Sequence, residues 1–60
     1  MKRQYTAHAD TGRDFIEFQF MSEHLAGSKG NHEDARREYK ARHGGYAPKI
    51  IRTYRDDADY

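Results

Sequence analysis

The apolar positions of this chain fall into two short alternating runs, one sparse helical stripe and a final short run. Residues 15–21 read FIEFQFM, with Ile16, Phe18 and Phe20 on one face and Phe15, Glu17, Gln19 and Met21 on the other. That period of two predicts a strand with one buried face. Residues 3–9 (RQYTAHA) alternate more loosely, with Tyr5, Ala7 and Ala9 on one side. Between the runs, Asp10, Thr11, Gly12 and Arg13 carry turn chemistry, because Asp and Thr bond their own backbone and Gly accepts positive φ. A β-hairpin over about residues 3–21 follows.

Residues 22–31 (SEHLAGSKGN) form the connection, with Leu25 expected to fold back onto the core. A helix is predicted over about residues 32–43. Asn31 is its expected N-cap, and Asp34 completes a variant capping box. A start at Ser28 would put Gly30 in the first turn, at about 1 kcal/mol against Ala. Glu33 and Asp34 suit the first turn, and Lys40, Arg42 and His43 the last. Glu33 with Arg37 and Glu38 with Arg42 form i,i+4 pairs in the favourable order. Gly44 is the expected C′ residue. The inward stripe is thin: Ala35, Tyr39, and His43 or Tyr46. Pro48 rules out further helix. Residues 49–55 (KIIRTYR) read as a third strand, and residues 56–60 form an acidic tail expected to fray.

The order β-β-α-β returns the third strand beside the first. The expected fold class is α+β: a three-stranded antiparallel sheet in the order 3-1-2, with one helix on one face and the other face open. The open face is expected to show Gln4, Thr6, His8, Phe15, Glu17 and Gln19, and from the last strand Lys49, Ile51, Thr53 and Arg55.

Composition makes this a domain with little to bury. A chain of 60 residues hides only about 60% of its unfolded surface. It has one Leu, three Ile, no Val and no Cys, so disulfides and thiolate zinc sites are excluded. Eight aromatics make a small Phe/Tyr core feasible, and a second subunit would ease the shortage. No apolar run approaches the roughly 18 residues of a membrane span, and no apolar stretch follows Lys2 and Arg3 as in a secretory signal. The expectation is one domain over residues 1–60, cytoplasmic and away from membranes.

Charge is segregated along the chain. Residues 36–55 carry seven cations (Arg36, Arg37, Lys40, Arg42, Lys49, Arg52 and Arg55) against Glu38 alone, a net +6 within a chain of net +1. Such a helix and strand suit phosphates or an acidic protein surface. The alternative is a solvated helix face laced with its own ion pairs, since Glu33 and Glu38 occupy two of the four helix cations.

Gly27-Ser28-Lys29-Gly30 invites comparison with phosphate loops, but the P-loop form GxxxxGK[ST] is absent. The stretch has the GXXG form of KH domains, yet Asn31, His32, Glu33 and Asp34 follow it where those domains need apolar residues at helical spacing. Glu33 and Asp34 also place negative charge at the helix start, where a phosphate would be repelled. The segment is therefore read as turn and cap. The four histidines (His8, His24, His32, His43) match no standard zinc spacing, even with Glu23 or Asp34 added. Ser22, Ser28, His24 and Asp34 include nucleophile and base types, but no spacing unites them. Tyr39, Arg42, His43 and Tyr46 cluster in sequence as a small RNA-cleaving toxin would need, without a motif to support it.

The chain is thus read as a non-catalytic binding protein with no cofactor and no metal. It is expected to engage nucleic-acid backbone through Arg36, Arg37, Lys40, Arg42, Lys49, Arg52 and Arg55. The competing reading is a protein-interaction or self-assembling module, dimeric through the open sheet face or a strand edge.

Overall fold

Tyr5, Ala7 and Ala9 of β1 (Arg3–Asp10) lie opposite Phe20, Phe18 and Ile16 of β2 (Phe15–Ser22). Both alternating runs therefore turn their apolar positions to the same side. The structure is a computed structural model, and it describes residues 1–56. The hairpin closes through residues 11–14, where the Thr11 N–H donates to the Asp14 carbonyl at 3.0 Å and the Gly12 N–H to Asp10 Oδ1 at 2.8 Å. β3 (Lys49–Arg55) pairs antiparallel with the other side of β1. The strand order β2-β1-β3 is the one expected, with the helix α1 (Lys29–His43) on one face. No helix among the described residues is long and apolar enough to cross a membrane.

The core is as small as the composition requires. Tyr5, Ala7, Ala9, Phe20, Ala35 and Ile50 are buried, with Ile16 and Phe18 packed against them. Phe20 stacks on Tyr5 at 5.7 Å between ring centroids, and Phe18 meets Tyr39 of the helix at 5.6 Å. Alanines in the central strand and at position 35 let the helix seat close, so a few aromatics fill the remaining space.

The helix begins three residues earlier than the sequence pattern indicates. Ser28 is the N-cap, and its hydroxyl accepts from the Asn31 N–H at 3.2 Å. Asn31 is not a cap but a fully buried residue of the first turn. Its amide donates to the His24 carbonyl at 3.2 Å, and its oxygen accepts from the Thr53 hydroxyl at 2.5 Å. Thr53 in turn accepts from the Gly27 N–H at 2.9 Å. The early start satisfies three buried polar groups at once, which outweighs the propensity cost of Gly30. Asp34 forms no capping box either: it accepts from the buried Ser22 hydroxyl at 2.7 Å, tying β2 to the helix. The first turn holds no acid, so Glu33 and Asp34 do not neutralise the helix start as expected from sequence.

Gly30 is required by close approach. A Cβ there would lie 2.7 Å from Cγ of His24. Alone, Gly30→Ala is expected to bring no stabilisation, because the His24 ring must leave its rotamer. In a His24→Ala background the same change should stabilise by about 1 kcal/mol, the ordinary helix gain. Urea titrations of the four proteins in this cycle measure the difference, and equal effects in both backgrounds would disprove the clash.

Other expectations are corrected by the geometry. Leu25 is 81% exposed and does not reach the core. Its carbonyl accepts from Ser28 N–H and Oγ, which closes a turn with the side chain outside. Tyr46 is 98% exposed and takes no part in the inward stripe. Arg37 pairs with Asp34 at 2.9 Å rather than with Glu33, whereas Glu38 does bond Arg42, at 2.6 Å. Gly44 ends the helix as expected, its N–H donating to the Lys40 carbonyl at 2.8 Å.

β3 carries a bulge. Ala9 faces Ile50 while His8 faces Arg52, which leaves Ile51 as the extra residue. The alternation changes phase there, so Thr53 is inward and Arg52 and Tyr54 join Lys49 on the open face. Asp56, expected in a frayed tail, is anchored. Its N–H donates to the Gln4 carbonyl, and its carboxylate accepts from Gln4 Nε2 at 2.8 Å, Gln19 Nε2 at 3.2 Å and the Thr6 hydroxyl. The remainder of the acidic tail lies outside the described residues.

Candidate nucleic-acid interface

Helical spacing brings Arg36, Arg37 and Lys40 to neighbouring positions on the side of α1 away from Ala35. Gly44 and Gly45, both at positive φ (75° and 73°), turn the chain back after the helix. Ala47 thereby comes beside the same surface. With Glu33 and Ala41 these residues line one shallow groove of about 630 Å³. Arg37 is committed to Asp34, although its side chain stays 76% exposed. Arg36 and Lys40 make no side-chain hydrogen bond or ion pair among the described residues, so two cations remain available in one concavity.

The other four cations lie elsewhere. Arg42 projects toward β2 and is held by Glu38, beside Gln19, Phe20 and Met21. Lys49 stands opposite Asp10, and Arg52 opposite His8, on the sheet face away from the helix. Arg55 stands opposite Tyr5, near the far end of β3. The charge run that is continuous in sequence is divided in space, because helix and strand turn their side chains to different surfaces.

The open face has a cluster that the sequence reading did not assemble. The Arg52 guanidinium lies 5.8 Å from the Tyr54 ring centroid. Tyr54 Oη is 3.3 Å from His8 Nε2, which is also 3.2 Å from Glu17 Oε2. Regular alternation would have turned Tyr54 inward, so only knowledge of the bulge could have found this group.

The candidates for other chemistry are occupied by structural roles. Ser22 bonds Asp34, Ser28 caps the helix, and the contact between His24 and Ser22 is through the backbone N–H. The rings of Tyr39 and His43 meet at 4.6 Å in a tilted pair, but Tyr46 points into solvent. No group of three or more His, Asp or Glu among the described residues could hold a metal ion. Compared with protein-family models, curated proteins and solved structures, the chain matches none.

Proposed function

We propose that this chain is a non-catalytic binding domain that engages the phosphate backbone of nucleic acid, centred on the helix groove of Arg36, Arg37 and Lys40. The observation that carries this reading is the groove itself, where two cations without a partner among the described residues sit beside a third. Phosphate oxygens would supply the missing acceptors and displace Asp34 from Arg37. Arg42, Lys49, Arg52 and Arg55 surround this centre on other surfaces and contribute mainly long-range field. The groove offers no pattern of donors for base edges, so sequence preference is weak.

Fluorescence anisotropy with a labelled DNA duplex and a labelled single-stranded RNA tests the reading. Three phosphate contacts imply a slope of about −2.7 in log K against log salt, or roughly a fortyfold loss between about 50 and 200 mM. Arg36→Gln with Lys40→Gln should flatten that slope by about two-thirds and leave the fold intact by circular dichroism. Absence of binding at low salt, or a slope unchanged in the double variant, refutes the assignment.

A further inference from the structure

We propose that the outer edge of β2 pairs antiparallel with β2 of a second copy of this chain, around a two-fold axis at Phe18, to form one continuous six-stranded sheet. This goes beyond the nucleic-acid reading and uses a different surface.

The two edges of the sheet are not alike. β3 is guarded: Pro48 precedes it, Ile51 bulges out of it, and Lys49, Arg52 and Arg55 line it. These are the devices that stop strands from adding to an edge. β2 lacks them in its own sequence, and the two helix charges beside it, Glu38 and Arg42, are bonded to each other. The strand runs for eight residues without proline or bulge and carries one charge, Glu17. Addition at β2 alone closes after two copies, whereas addition of β2 to β3 would continue without limit.

The ladder phase shows what that edge offers. Thr11 N–H donates to the Asp14 carbonyl, and Asp56 N–H to the Gln4 carbonyl. Alternate residues of an antiparallel strand turn their backbone groups to the same neighbour. Ile16, Phe18 and Phe20 therefore face β1. The N–H and C=O groups of Phe15, Glu17, Gln19 and Met21 point away from the sheet.

Charge and exposure select the register. A two-fold perpendicular to the sheet needs direct partners from the same face, so pairing must centre on a residue. Centring on Glu17 would oppose Glu17 to itself. Centring on Gln19 would set Phe15 against Glu23. Centring on Phe18 sets Glu17 against Gln19 of the second copy, and Phe15 against Met21. Those last two are the exposed apolar residues of β2, at 78% and 49%. The same register carries Arg13 of the hairpin turn toward Glu23 of the second copy, a complementary pair at each end. Phe18, only half-buried in one chain, would meet its own copy on the helix side.

Sedimentation velocity on the full chain, from micromolar to millimolar, tests the pairing together with amide exchange. The expected result is a monomer–dimer equilibrium in which the amides of Phe15, Glu17, Gln19 and Met21 gain protection as the dimer fills. Phe15→Glu should weaken the dimer roughly tenfold, and adding Met21→Lys should restore it, since each pair is formed twice. Gln19→Pro removes one outward N–H without a bond to β1 and should abolish association. A strict monomer overturns the proposal, as does a monomer that captures only extended peptides. So does a dimer indifferent to both Phe15→Glu and Gln19→Pro. The exposed Phe15 keeps this test independent of folding, and the Arg36 and Lys40 variants leave it untouched.

Discussion

Phe20→Ala is expected to remove about half or more of the folding free energy of this domain. Phe20 is 2% exposed and stacked on Tyr5, and loss of a buried Phe side chain costs about 3–5 kcal/mol. A domain of this length has a total stability of about 3–9 kcal/mol. Collapse softens the loss little, because three of the other five buried residues of the cluster are alanines, Ala7, Ala9 and Ala35, which have no rotamers with which to fill a hole. Urea titration by circular dichroism measures the effect. A loss below about 1.5 kcal/mol would mean that the aromatic stack is not the centre of the core. Leu25→Ala is the natural control: it removes the one leucine of the chain from a position in solvent and should leave the midpoint unchanged.

The second large effect belongs to a polar residue. Asn31→Ala removes the acceptor of the Thr53 hydroxyl, in a buried bond, and the donor to the His24 carbonyl, in a part-buried one, both in the seam between helix and sheet. Each buried group left unpaired costs about 1–3 kcal/mol, so a total of about 2–4 kcal/mol is expected. For so small a domain that is a fall in Tm of about 10 °C or more. Thr53→Val should be costly too, since the Gly27 N–H loses its acceptor. Because the two residues share one network, the double variant should cost at least about 1 kcal/mol less than the sum of the singles. Additive singles in thermal melts would show that the seam is a set of separate contacts.

This seam explains what the sequence could and could not reveal. The strands and the helix were legible from local signals: a period of two in FIEFQFM, i,i+4 ion pairs closed by Gly44, and Pro48 before the last run; the strand order followed from the element order β-β-α-β. Asn31 was misread for the opposite reason. Asparagine is an excellent cap in isolation, and nothing local announces that Thr53, 22 residues away, needs an acceptor. Leu25 was misplaced by the same logic, since hydrophobicity argued for burial while the turn at Ser28 fixed its carbonyl and sent the side chain outward. Of the seven expected contact residues, Arg36, Arg37 and Lys40 line one groove, because helical spacing sets them side by side. The strand cations could not be grouped with them, because the face each occupies depends on the bulge at Ile51. That bulge arises from pairing with β1, not from a residue type such as glycine that would have marked it.

The bulge also governs where this chain can change length. Deleting Ile51 would bring Arg52 next to Ile50 and restore an unbroken ladder. Ile50 would still face Ala9, Arg52 His8 and Thr53 Ala7. A one-residue deletion within β1 or β2 has no such refuge, because it turns every later side chain of that strand to the opposite face. Position 51 is therefore a point at which a shorter version of this chain could arise in a single step and keep its inside and outside unchanged.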